Sequence, residues 1–239
     1  LNKEATYKGS IRLDEGGQFV HNGLMNVTLS KDITGTSNDG WYTISSPVGT
    51  VDHDKVDGLL NGTHDLYRYD EPTMMWENVK QHTTDFKTLE AGRGYIYANT
   101  ANTTLSFTGD LVVEAVEQNI TATTDNELKG FNLVGNPFTH NITAAHLSGN
   151  KAVGYYVVGE DGTFQVRETT SETIAPMQAI LVQAKEAGNL TIQKTAPATQ
   201  TREASNGALE IVVANADYKD VAYVSFNDGV GIEKIGHQN

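Results

Sequence analysis

Apolar and polar positions along this chain alternate in short runs, and the runs recur every eight to twelve residues between clusters of Gly, Asn, Asp and Ser. Period-two runs rich in Val, Ile, Thr, Tyr and Phe predict strands, and the clusters between them predict turns. The strands expected this way fall at 27–29, 41–44, 66–69, 94–98, 105–107, 131–134, 155–158, 164–166, 179–182 and 190–192. Helical periodicity is weak throughout, with 141–148 the one stretch that could make a short helical turn. The clearest hairpin spans 155–166, where Asp161-Gly162 suits the positive φ of a tight turn. Its counterpart spans 66–79.

The pattern also repeats. Gly40-Trp41-Tyr42-Thr43-Ile44-Ser45-Ser46-Pro47 returns as Gly130-Phe131-Asn132-Leu133-Val134-Gly135-Asn136-Pro137, 90 residues on. Tyr67 aligns with Tyr155 and Trp76 with Phe164 at an offset of 88, and Leu105-Ser106-Phe107 aligns with Leu190-Thr191-Ile192 at 85. An offset that steps down only between strand-like blocks is what loop deletions leave in two divergent copies. Positions alike in both copies are expected to be core, which assigns Trp41, Tyr67, Trp76, Phe131, Tyr155 and Phe164 to the interior. Function is then expected in the loops that differ, 49–65 and 139–152.

One copy has too few strands to cover its own apolar face, and two packed together bury both. The predicted fold is therefore all-β: a jelly-roll-like β-sandwich over 35–196, with copies at 35–116 and 117–196, either one pseudo-symmetric sandwich or two closely abutting ones. The flank 1–34 reads as strands with a Gly-Gly corner at Gly16-Gly17, like the last coil of a β-solenoid. Residues 197–239 read as an Ala/Thr/Ser-rich linker and two strands, 209–213 and 221–226, of a docked or incomplete unit.

Composition narrows the function. Seventeen basic and 30 acidic residues give a net charge of −13. Such a field repels nucleic acid and anionic lipid, and no apolar run approaches the ~18 residues of a membrane-spanning helix. Neither nucleic-acid binding nor membrane insertion is expected. With no cysteine, disulfides and thiolate chemistry are excluded. Leu1 without a charged-then-apolar leader suggests an internal or processed segment.

Candidate chemistry is sparse. No Gly-x-Ser-x-Gly elbow, His-Glu-x-x-His pair or phosphate loop is present, and no catalytic residue is predicted. The densest polar run, Asp52-His53-Asp54-Lys55-Val56-Asp57, reads as a solvated loop. Its alternative is a calcium site using Asp52, Asp54 and Asp57, the one cofactor the sequence leaves open. Tyr42 and Tyr97 lack aromatic equivalents in the second copy and are the candidates for exposed ligand contacts. The six Asn-x-Thr triplets, at Asn26, Asn61, Asn102, Asn119, Asn141 and Asn189, read as turn chemistry.

The strings GGQFVHN, GWYTISSPV, DLYRYDE, MWENVK, LEAGRGYIYAN, TTLSFTGDL, GFNLVGNPF and DVAYVSFNDGVGIEKI together resemble the C-terminal β-rich region of large exported proteins of Bacteroidota. Those proteins are adhesin-like and are associated with type IX secretion. The resemblance implies a secreted or cell-surface adhesion or spacer module, a host or bacterial glycan or protein as partner, and no catalytic residues. The alternative is a carbohydrate-binding or accessory domain of a surface enzyme, for which exposed aromatics on one sheet face would be the mark.

Overall fold

A computed structural model describes residues 8–13, 17–21, 23–35, 40–123, 129–149, 151–158, 163–167, 172–194, 208–214 and 219–225. The protein is all-β. Its first nine strands are β1 (Lys8–Arg12), β2 (Asn26–Ile33), β3 (Trp41–Ile44), β4 (Val51–Asp52), β5 (Asp65–Asp70), β6 (Met75–Asn78), β7 (Thr88–Leu89), β8 (Tyr95–Ala98) and β9 (Thr103–Asp110). There follow β10 (Val116–Ile120), β11 (Phe131–Gly135), β12 (Ile142–Thr143), β13 (Leu147–Gly149), β14 (Lys151–Val158), β15 (Phe164–Arg167), β16 (Thr173–Ile174), β17 (Ala179–Ala184) and β18 (Gly188–Ile192). The hairpin β19 (Ala208–Ala214) and β20 (Lys219–Ser225) closes the order. Each strand predicted between 27 and 192 has its counterpart here, because alternation of apolar and polar residues is the direct imprint of a pleated, half-buried strand. The stretch expected to turn helically holds one 3-10 turn, Ala144–His146, and Asp161-Gly162 lies outside the described residues.

Two four-stranded sheets dominate, ordered β3-β8-β5-β6 and β11-β17-β14-β15. Counted within its own half, each sheet has the same strand order. The smaller ladders correspond as well, β4-β7 with β12-β16 and β2-β9 with β10-β18. Two hydrophobic cores follow this division. Val27, Leu29, Ile44, Leu66, Tyr95, Tyr97 and Phe107 fill the first, and Val134, Phe138, Tyr155, Ile180, Val182 and Ile192 fill the second.

The flank expected as a separate unit is joined to the first core. Strand β2 pairs with β9 along all eight residues, and Leu13 and Phe19 are buried with it. β1 runs parallel to β2. Phe19, expected on a strand, instead lies on an extended segment whose N–H donates to the Thr139 carbonyl of the second half.

Register decides which face each side chain occupies, because a slip of one residue turns a strand over. Thr43 and Tyr67 both stand opposite Ile96, as Leu133 and Tyr156 both stand opposite Leu181. Tyr67 therefore holds the place of Tyr156, and Leu66 the place of Tyr155. The sequence alignment of Tyr67 with Tyr155 was one residue out, matching aromatic to aromatic across a change of face. Tyr155 is core as expected, whereas Tyr67 belongs to the opposite face.

Those opposite faces meet. Tyr69 and Ile96 of the first sheet pack against Phe131, Leu133, Ala179 and Leu181 of the second. Gly94 N–H donates to the Leu133 carbonyl at 2.9 Å, and Gly135 N–H to the Gly92 carbonyl at 2.9 Å. Glycine is required at both contacts: a Cβ on Gly94 would sit 2.6 Å from that of Ala179, and one on Gly135 2.3 Å from that of Ser45.

Candidate functional site: an aromatic groove between the sheets

The two sheets meet through the cluster around Tyr69, Leu133 and Ala179 and leave a groove of about 350 Å³, lined by Trp41, Tyr42, Tyr67, Trp76, Ile96, Val158 and Phe164. That volume is within the range of small-ligand sites. Register explains the lining. Directly paired residues share a face, so Trp41 lies level with Ala98 and Asp65, Ile96 with Tyr67 and Asn78, and Trp76 with Tyr69, all on the face turned to the second sheet. The aromatics thus cross the sheet diagonally. Trp41 and Tyr67 have ring centroids 5.8 Å apart, and Tyr69 and Trp76 4.9 Å apart, each pair tilted by about 50° as aromatic quadrupoles favour. Val158 and Phe164, paired across the β14–β15 hairpin, form the other wall.

Four of the aromatics expected in the core line this groove instead. Trp76 is 38% and Phe164 37% exposed, and Trp41 and Tyr67 are half-buried. Trp76 opposes Tyr69 and Phe164 opposes Val158 at corresponding places in the two sheets. Matched positions here face a shared surface, a case that repetition alone does not separate from burial. Phe131 is half-buried and meets Tyr156 edge-on at 5.5 Å.

Of the two tyrosines singled out from sequence, Tyr42 is half-buried, lines the groove and donates its hydroxyl to the Thr34 carbonyl at 2.5 Å. Tyr97 is fully buried in the first core, where burial raises its pKa, and the side-chain amide of Asn99 donates to its hydroxyl. It offers nothing to a ligand. Among the described residues of 49–65 and 139–152, where function was expected, none lines the groove, and Asp65 borders it.

Polar groups border the aromatics at one end. Asn78 Nδ2 donates to Asp65 Oδ1 at 3.0 Å, and Lys80 Nζ reaches the same oxygen at 3.3 Å and the His64 carbonyl. Asp65 shares its face with Trp41, and Asn78 with Tyr67. At the inner end the Tyr69 hydroxyl is buried without a partner among the described residues. Burial, with the Glu71 and Asp70 carboxylates near it, raises its pKa.

The three aspartates considered for calcium are not brought together. Asp52 pairs with Lys55 at 2.6 Å, which lowers its pKa through that hydrogen bond and charge. Asp54 is exposed on the 3-10 turn His53–Lys55, and Asp57 exchanges backbone hydrogen bonds with Ser106. Among the described residues the cluster with ligand atoms close enough to share an ion is Glu77, His82 and Asp85. The Arg68 guanidinium already occupies it, 2.5 Å from Glu77 and 2.6 Å from Asp85, over the Phe86 ring at 4.9 Å.

The chain matches no family model, no curated protein and no solved structure.

Proposed function

We propose that this chain is a non-catalytic interaction module of a larger exported, cell-surface bacterial protein, and that its groove binds a neutral carbohydrate. The observation that carries this reading is the diagonal of Trp41, Tyr67 and Trp76 facing Phe164 across an open groove. Flat aromatic faces take up the C–H faces of sugar rings, while Asp65 and Lys80 at the border supply acceptors and donors for hydroxyls. A net charge of −13 disfavours uronic or sulfated glycans and leaves neutral ones. Exposure of Trp76 is the mark that separates a carbohydrate-binding module from a bare spacer.

The architecture in this reading is two divergent copies that abut face to face, each with its own core, and the shared strand orders of the two halves support the duplication. The β19–β20 hairpin supports a separate C-terminal unit. Surface location, secretion and the bacterial source rest on the resemblance of the sequence strings. An accessory role beside a glycan-degrading enzyme uses the same site, since a module that holds a polymer concentrates it for catalysis elsewhere. Pull-down of the purified chain on insoluble cellulose, mannan and xylan tests the proposal. Retention that Trp76→Ala abolishes is expected, and absence of retention on any neutral polysaccharide overturns it.

A further inference from the structure

The turn between β5 and β6 carries a buried carboxylate whose partners all lie in the other half of the chain. Glu71 Oε1 accepts from the Thr123 N–H at 2.7 Å and the Gly130 N–H at 2.8 Å, and Oε2 accepts from the Thr123 hydroxyl at 2.7 Å. Burying a carboxylate is costly unless donors meet both oxygens, and here they do. Gly130 immediately precedes Phe131 at the start of β11, so Glu71 fastens the tip of one sheet's outer hairpin to the root of the other sheet. The remaining hydrogen bonds between the facing sheets include Gly94 to Leu133, Ala179 to Thr43 and Ser45 to Asn136, which act near β3 and β8. The hairpin they leave is the one that carries Tyr67 and Trp76.

We infer that Glu71 is the positioning residue of the groove, holding the β5–β6 hairpin, and with it Tyr67 and Trp76, at a set distance from the second sheet. This rests on the reading of the groove as the binding site. The role is geometric. A glutamine keeps it, because its oxygen accepts both backbone N–H groups and its amide donates to the Thr123 hydroxyl, which can turn to accept.

The chain has two tryptophans, Trp41 and Trp76, and both line the groove, so tryptophan fluorescence reports on it directly. The test compares wild type, Glu71→Gln, Glu71→Ala and Thr123→Val by acrylamide quenching and by retention on cellulose, mannan and xylan. Glu71→Gln is expected to match wild type. Glu71→Ala is expected to quench more readily and to weaken retention about tenfold, the scale of losing hydrogen bonds to a charged group. Thr123→Val, which loses the hydroxyl alone, falls between. A folded Glu71→Ala with wild-type quenching, or a Glu71→Gln as impaired as Glu71→Ala, overturns the inference. Should Glu71→Ala not fold, unchanged quenching in Thr123→Val overturns it. Quenching that shifts in a protein no polysaccharide retains would defeat the carbohydrate reading and leave the positioning role standing; retention with unshifted quenching would do the reverse.

Discussion

Trp76 and Phe164 hold the same place in two different sheets and line one groove, 38% and 37% exposed. Each stands on an outer strand, opposite Tyr69 and Val158 respectively. Because both rings keep part of their surface in water, truncating either is expected to cost about 1–2 kcal/mol. Phe107→Ala, in the fully buried first core, should cost about 3–5 kcal/mol. Urea denaturation of the three variants checks this ordering; a Trp76→Ala as damaging as Phe107→Ala would place Trp76 in the core after all.

The same comparison separates the neighbours Tyr155 and Tyr156. Tyr155 lies in the second core and Tyr156 on the face opposite it. Tyr155→Ala is expected to destabilise by roughly 3–5 kcal/mol and Tyr156→Ala by under half as much. Equal losses would contradict this register.

That pair also shows how far the sequence could be read. Strand positions were legible because alternation follows directly from the pleat. Register was not, since Leu66 stands in the place of Tyr155 and aromatic identity drew the alignment one residue along. The groove was hidden for a related reason: Trp76 and Phe164 align as core residues would, and their exposure depends on how the two sheets face each other. Glu71 gave no local signal, its partners being 52 and 59 residues away.

Acid is expected to weaken the contact between the N-terminal segment and the second half. His140 is buried, stacked on Phe138 at 5.4 Å, with neither ring nitrogen bonded among the described residues. Burial, then the charges of Lys194, His21 and His146, push its pKa down to about 4. His21, stacked on Phe19, is also lowered, mainly by burial. A histidine depressed on folding binds its proton more readily when unfolded, so its stabilisation is complete above pH ~6.5 and is lost as pH falls toward 4. Each unit of depression is worth about 1.4 kcal/mol. Thermal midpoints between pH 7 and 4.5 should fall in wild type and fall less in His140→Leu; parallel curves would remove His140 as the cause.

Arg68 answers for the acidic cluster beside it. Its guanidinium bonds Glu77 and Asp85 and covers Phe86, so a cation would have to displace it. Chelator or added calcium should leave the thermal midpoint unchanged. Arg68→Met is expected to cost roughly 2–3 kcal/mol, below the cost of breaking a fully buried pair. A midpoint that rises with calcium in the wild-type protein would contradict this.

The most direct test of the groove as a carbohydrate site is retention of wild type, Trp76→Ala and Phe164→Ala on insoluble cellulose, mannan and xylan, with each variant first confirmed folded by its urea midpoint. The groove account predicts that wild type is retained on at least one of them and that both variants elute freely. Wild-type protein that passes through all three, or variants retained as tightly as wild type, would contradict it.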